Sequence, residues 1–333
     1  MRYIDGKELI NSKEFVEEPV KEINKKIEET SSKRIVLYGT RGTGKTSVLY
    51  SNEKEKINSS NPSIYTRFES MRLFGNGSNE DPFNMEFINH YYELAMAGKI
   101  LYYLKQNYNK YYEKELLSFE EKVDNILLNT NKYIRHIHFR RVDLEKKLEF
   151  GEITSKIIEK MKKDLGITSV HLLIDRFDWT DNRSRLSQEI LKKYFELFDK
   201  VVISIDDEDI LNEKNQKPFQ EQGYKFVKVD YGKEKEILKQ IISLRIKKYN
   251  ENLKDNDRYF SVSLLTDEII DSIISETNGN ISMALIIMND VKNCFGFMDK
   301  DFNIEEQVKH YSKAQTITEQ AIKKMSYPPK FYL

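Results

Sequence analysis

One stretch restricts this chain's fold more than any other: Gly39-Thr-Arg-Gly-Thr-Gly-Lys-Thr46, which fits G-x-x-x-x-G-K-[ST]. Its flanks fit as well as its glycines. The apolar run Arg34-Ile-Val-Leu-Tyr38 reads as a buried strand feeding the turn, and the breaker-free stretch from Thr46 to about Lys54 reads as a helix. A strand that passes through a glycine turn into a helix is a cradle for an anion. Its backbone N–H groups converge, and the helix adds the positive end of its dipole. Lys45 has the reach for β- and γ-phosphates, and the Thr46 hydroxyl suits a Mg²⁺ shell. The pattern therefore predicts that Gly39, Thr40, Arg41, Gly42, Thr43, Gly44, Lys45, Thr46 and Ser47 hold ATP, with Thr46 on the metal.

Three further apolar runs read as buried parallel strands: Ser63-Ile-Tyr-Thr-Arg-Phe68, Val170-His-Leu-Leu-Ile-Asp175 and Lys200-Val-Val-Ile-Ser-Ile-Asp206. A fifth, Tyr224-Lys-Phe-Val-Lys-Val229, alternates and suits a sheet edge or a half-exposed strand. Helical patterns separate most of these runs. The expected fold class is therefore α/β, a three-layer P-loop sheet of five mainly parallel strands.

The interval before Val170 is too long for a simple crossover. It starts with the loop signal Gly75-Asn-Gly-Ser-Asn-Glu-Asp-Pro82, after which Phe87, Tyr91, Leu94 and Leu101 recur at helical spacing. We read a helical insertion at about residues 83–165, its Tyr and Phe stripe serving as core. After the fifth strand the pattern is helical, over residues 232–252, 267–276, 280–293, 304–311 and 316–324. Thr266 is an expected N-cap, and Asn278-Gly279 an expected stop. The domains expected are residues 1–230, carrying the P-loop and the insertion, and residues 231–333, a helical lid with a tail.

Lys plus Arg equals Asp plus Glu at 54 each in 333 residues, so no net field selects nucleic acid or an acidic substrate. The single cysteine, Cys294, has no partner for an internal disulfide and suits a reducing compartment. No apolar run approaches membrane-spanning length, and the N-terminus lacks a signal-peptide apolar core. A soluble, cytoplasmic protein is expected.

The run ending in Asp175 delivers a carboxylate where a second Mg²⁺-directing group is needed in P-loop ATPases. Together these features resemble the AAA+ superfamily and its STAND relatives, most closely the archaeal and eukaryotic origin-recognition initiator type, over roughly residues 14–300. Phe15-Val-Glu-Glu-Pro-Val20, ahead of a helix over 21–29, stands where those proteins have a segment contacting adenine. Asp175-Arg-Phe-Asp178 is similar to their Asp-Glu-apolar-Asp motif. Val201-Val-Ile-Ser-Ile-Asp206 matches their sensor-1 strand and makes Asp206 the sensor. Phe226-Val-Lys-Val-Asp-Tyr231 and the following Glu236-Ile-Leu-Lys-Gln-Ile-Ile-Ser-Leu-Arg245 match the opening of their lid. Asn278-Gly-Asn-Ile-Ser-Met-Ala-Leu285 resembles their sensor-2 helix. The resemblance implies ATP and Mg²⁺ as ligands, Asp175, Asp178 and Asp206 as catalytic carboxylates, and Asp175 at the metal.

The departures from that pattern bear on turnover. Arg176 stands in place of the usual catalytic Glu and is no base at neutral pH. Asp178, or Glu69 after the second strand, is then the substitute carboxylate. Asp206 replaces a neutral Asn, the sensor-2 helix lacks its Arg, and residues 207–224 contain no Arg to act as a finger, only Lys214 and Lys217. Binding is thus expected with slow or partner-dependent hydrolysis, in a nucleotide-gated switch or assembly scaffold for a protein partner, with homo-oligomers as an option. By resemblance alone, stand-alone proteins of this type occur in bacterial mobile-element and anti-phage defence operons.

Two alternatives stay open. One is a DNA-engaging initiator or loader, for which the basic, aromatic-interleaved segment Asn131-Lys-Tyr-Ile-Arg-His-Ile-His-Phe-Arg-Arg141 is the candidate surface. Neutral overall charge and the short span after the lid, with no room for a winged-helix domain, weigh against it. The other is an interaction protein with a vestigial P-loop. His136 and His138 do not share a helical face and no cysteine joins them, so a zinc site is not expected. Trp179 is read as packing at the sheet's end.

Overall fold

The computed structural model describes residues 18–40, 42–67, 85–136, 149–177, 185–205, 210, 213–251, 265–295, 308–309 and 312. Five strands form one sheet: β1 (Arg34–Tyr38), β2 (Ser63–Arg67), β3 (His171–Asp175), β4 (Lys200–Ile205) and β5 (Tyr224–Lys228). They are all parallel and lie in the order β2-β3-β4-β1-β5. The four buried runs and the fifth are thus strands, and β5 takes an edge, where Tyr224 and Val227 are buried, Phe226 is half-buried and both lysines are exposed, so its burial departs from the strict alternation its sequence suggests. Parallel strands buried on both faces need continuous apolar sequence, which is what β1, β3 and β4 contain.

Strand register sorts the side chains. Val36 is level with Ile203, and Ile203 with Ile174, so these three share one face together with Leu172 and Val201. That face joins an apolar cluster with α3 (Met85–Asn107), α6 (Glu152–Leu165) and α7 (Arg185–Glu196), through Phe87, Met96, Ile157, Met161, Ile190 and Leu191 among others. The aromatic stripe of α3 is core, with Phe87 and Leu101 buried and Tyr91 and Leu94 packed against the cluster. Helices α4 (Asn109–Glu115) and α5 (Leu117–His136) complete the insertion.

Leu37 is level with Ser204, and Arg67 with Asp175, on the opposite face at the carboxyl ends of the strands. There Tyr50 of α2 (Lys45–Glu55) stacks on Tyr65, with ring centroids 3.9 Å apart. Helices therefore pack on both faces. Glu53 Oε1 also accepts the Tyr65 N–H at 3.0 Å on the edge strand β2.

One buried polar group ties the insertion together. Helix α6 starts after Gly151, whose φ is +63° and which offers no capping side chain. Its Thr154 N–H donates instead to Glu93 Oε1 of α3, at 2.5 Å. Glu93 Oε2 lies 2.6 Å from the Tyr194 hydroxyl of α7, which is also 2.7 Å from Asn89 Oδ1. Glu93 is fully buried, and that burial raises its pKa above the ordinary carboxylate value.

The remaining elements are α1 (Glu18–Glu29), α8 (Glu213–Gln220), α9 (Lys235–Glu251), α10 (Asp267–Thr277) and α11 (Ile281–Phe295). A 3₁₀ turn at Tyr231–Lys233 precedes α9, so that helix starts three residues later than its apolar spacing suggests. Thr266 caps α10 as expected, its side chain accepting from Ile269 N, and Asn278 ends the helix with φ +50°. By contacts the chain divides into two compact units, one of Lys26–Tyr38 and Leu49–Val227, the other of Met1–Lys25, Gly39–Val48 and Lys228–Leu333. Among the described residues no helix is long and apolar enough to cross a membrane.

Candidate functional site

The glycine turn leaves β1 at Gly39 and enters α2 at Lys45. Within it, the Thr43 hydroxyl and N–H both donate to Thr40 O, and Val48 N donates to Gly44 O as the first bond of the helix. The first-turn amides of α2 thus precede the intrahelical ladder, as at any helix N-terminus. Lys45 is 3% exposed and its ammonium donates to Gly39 O and Thr40 O, both at 2.9 Å. A buried cation held by two turn carbonyls beside a helix N-terminus is chemically suited to meet an anion. Thr46 is half-buried and Ser47 buried.

The glycines are required by close neighbours from the same unit. Gly44 has φ +99°, and a Cβ there would fall on the Tyr231 hydroxyl. Gly42 has φ +85°, and a Cβ there would fall on Asn280 Oδ1. That oxygen also accepts Met283 N at 3.0 Å, which makes Asn280 the N-cap of α11. Ser282 N donates to Gly42 O at 3.3 Å. Burial pushes the Tyr231 phenol's pKa up, so it stays a neutral hydroxyl at physiological pH. The loop is therefore packed by the 3₁₀ turn and by the first turn of α11.

A second cluster sits at the carboxyl ends of β2, β3 and β4. Asp175 is 1% exposed. Its Oδ1 accepts the Ser204 hydroxyl at 2.6 Å, and its Oδ2 the Tyr65 hydroxyl at 3.0 Å. Arg67 Nε donates in turn to the Tyr65 oxygen at 3.3 Å. Burial, followed by the nearby Asp175 carboxylate, drives the Tyr65 pKa upward and keeps its proton in place. Ser204 does more than hold the carboxylate. Its Oγ accepts Arg176 N at 2.9 Å and its carbonyl accepts Phe177 N at 2.7 Å. Between them Arg176 takes φ +54°, a left-handed conformation that costs an L-residue about 1–2 kcal/mol.

Strand order gives this end of the sheet a further property. The connection from β1 runs to β2 at one edge, whereas that from β4 runs past β1 to β5 at the other. The carboxyl ends of β1 and β4 flank this reversal, the position where open parallel sheets bind ligands.

Thr46 in one unit and Asp175 in the other each offer a hard oxygen of the type that Mg²⁺ selects, an ion that usually keeps waters and phosphate oxygens among its ligands. Among the described residues there is no group of three His, Cys, Asp or Glu that would form an all-protein cage. The donor chemistry fits a metal that arrives with a triphosphate.

Of the residues singled out in the sequence, Gly39, Thr40, Gly42, Thr43, Gly44, Lys45, Thr46 and Ser47 lie together in one unit, and Asp175 lies in the other. Arg41, Asp178, Asp206, Glu69 and Trp179 lie outside the described residues, as do His138, Arg140, Arg141 and the side chains of Lys214, Arg135, His136 and Cys294. So do residues 15–17 of the adenine-segment motif, residues 316–324, and residues 304–311 apart from 308–309. Lys217 pairs loosely with Glu221, at 3.9 Å. Tyr65, Ser204, Tyr231 and Asn280 were missed as site residues. The available signal for Ser204 was a lone hydroxyl inside an apolar strand. No protein-family model matches this chain, and no curated protein matches it.

Proposed function

We propose that this protein binds ATP with Mg²⁺ through residues 39–47 and acts as a nucleotide-gated switch or assembly scaffold of the AAA+/STAND type. The observation that carries the proposal is the glycine turn between β1 and α2, with Lys45 buried against its carbonyls and no room for a side chain at Gly42 or Gly44. In this reading the Lys45 ammonium turns from Gly39 O and Thr40 O to the phosphates. Thr46, and by the family resemblance Asp175, would hold the metal, which when bound would supply charge neutralisation. The packing of Tyr231 and Asn280 on the loop supports a link between nucleotide and the helices α9 to α11, since a ligand at the loop acts on whatever packs there. Arg176 in place of a catalytic Glu supports slow turnover, or turnover completed by a neighbouring subunit or a protein partner. A role in anti-phage defence is part of this proposal through family resemblance alone.

The test is ATP binding and turnover by purified protein over a protein-concentration series, with Lys45→Ala as blank. Loss of charge-assisted bonds of about 1.5–3 kcal/mol predicts roughly 10- to 100-fold weaker ATP binding by that variant. A specific rate that climbs with concentration indicates an assembling ATPase. Retained ATP with no turnover above the blank indicates a nucleotide-held scaffold. Wild type and Lys45→Ala binding ATP equally, or not at all, refutes the proposal.

A further inference from the structure

We infer that Ser204 and Tyr65 are positioning residues that set the Asp175 carboxylate for the metal, and that Ser204 also fixes the backbone turn carrying Arg176. The inference rests on the proposed ATP·Mg²⁺ site and names two residues to which none of the motifs quoted above assigns a role.

The argument starts from proton counting. A carboxylate oxygen has two lone pairs. Each oxygen of Asp175 receives one hydroxyl proton from a neighbouring strand, Oδ1 from Ser204 of β4 and Oδ2 from Tyr65 of β2. A carboxylate gripped on both oxygens cannot rotate about its χ2 torsion without losing both bonds. The orientation of the carboxylate is thereby set. Tyr65 is itself held, by the Arg67 Nε–H on its oxygen and the stacked Tyr50 ring. Ser204 has no freedom either, because Arg176 N donates to the same Oγ that donates to Asp175. Every hydroxyl in the bracket thus has its proton direction determined, and each points to the carboxylate.

The second part concerns Arg176. Its left-handed backbone persists because three bonds from one residue clamp Asp175, Arg176 and Phe177: Ser204 Oγ to the carboxylate, Arg176 N to Oγ, and Phe177 N to Ser204 O. Strained residues of this kind persist where the surroundings over-determine them. Losing the Ser204 hydroxyl removes two of the three bonds at once.

Groups that hold a metal-directed ligand typically matter by 10- to 100-fold in metal affinity. The experiment measures ATP affinity with Mg²⁺ and with a chelator by titration calorimetry, for wild type, Ser204→Ala, Ser204→Thr and Tyr65→Phe, with the thermal midpoint of each. For Ser204→Ala and Tyr65→Phe, the ratio of affinity with metal to affinity without it is expected to fall by roughly 10- to 100-fold. Ser204→Thr, which keeps the hydroxyl, is expected to restore it. A purely structural role would weaken both affinities alike and leave the ratio where it was, and that result overturns the inference. Should Ser204→Ala fail to fold, Tyr65→Phe decides the question, since it removes one bond from one oxygen. Wild type that binds ATP with a strong Mg²⁺ dependence which both variants retain refutes the bracket alone. Wild type that binds no ATP under either condition refutes the site and the bracket together.

Discussion

Gly44→Ala tests the packing of the glycine loop more sharply than any change to its charged residue. Two costs add. The backbone at φ +99° is one that L-residues adopt only with strain, about 1–3 kcal/mol. The new methyl also falls on the Tyr231 ring, with Cζ 2.7 Å from the ideal Cβ and the hydroxyl nearer still, and such overpacking costs about 1–3 kcal/mol. Together they reach roughly 2–6 kcal/mol, a large part of the roughly 5–15 kcal/mol that holds a folded protein together. Urea unfolding followed by circular dichroism, on Gly44→Ala, Tyr231→Leu and the double variant, separates the two. Tyr231→Leu clears space above Gly44 but leaves φ unchanged, so the double variant recovers only the overlap. A coupling of about 1–3 kcal/mol is expected between the two substitutions. If Gly44→Ala is within about 0.5 kcal/mol of wild type, or the two effects simply add, the close approach of Tyr231 to the loop is wrong.

One buried and one half-buried titratable group make predictions of opposite sign. The raised pKa of Glu93 means that the native protein holds a proton which the unfolded chain releases, so this contribution to stability is present in acid and lost as pH rises through the native value. Glu93→Gln keeps an acceptor for Thr154 N and gains a donor for Tyr194. Relative to wild type it is expected to grow more stable as pH increases, while Glu93→Ala, which leaves Thr154 N unmatched although Tyr194 keeps Asn89, costs about 1–3 kcal/mol at neutral pH. His171 is the reverse case. Burial, with help from Lys200 and Lys56, lowers its pKa from 6.5 to about 4. The unfolded chain then takes up a proton that the native state refuses, and stability on the order of 3 kcal/mol drains away as pH falls from 6.5 to 4. His171→Gln is expected to lack that decline in denaturation curves taken across the same window; a decline equal to that of wild type would exclude His171 as its source.

The strands of this protein were legible because a parallel strand buried on both faces has to be apolar along its length, and β1, β3 and β4 carry little else. The glycine turn was legible because the strand, the glycines and the helix that compose it are contiguous in sequence. What sequence could not convey was which distant side chains complete each site. Ser204 meets Asp175 only because β4 lies beside β3, and Tyr65 meets it only because β2 lies on the other side; neither adjacency follows from chain order. Tyr231 and Asn280 reach the loop from nearly two hundred residues and more away. Glu93 stands in a helix rich in aromatic and aliphatic residues, where helical periodicity records an inward position but not the helix end that its carboxylate caps. Even the late start of α9 follows this rule, because the 3₁₀ turn before it brings Gly232 against the Gly279 carbonyl.

The Glu53 side chain on Tyr65 has a consequence for self-association. An exposed edge strand invites another chain to extend the sheet by backbone pairing. At the centre of β2 the amide that a newcomer would need already donates to Glu53 Oε1 at 3.0 Å, and the carboxylate brings negative charge to that margin. A strand docking there would have to expel the carboxylate and leave it without its amide partner. This border of the sheet is guarded against fibrous growth, and subunits that assemble have reason to meet through other surfaces.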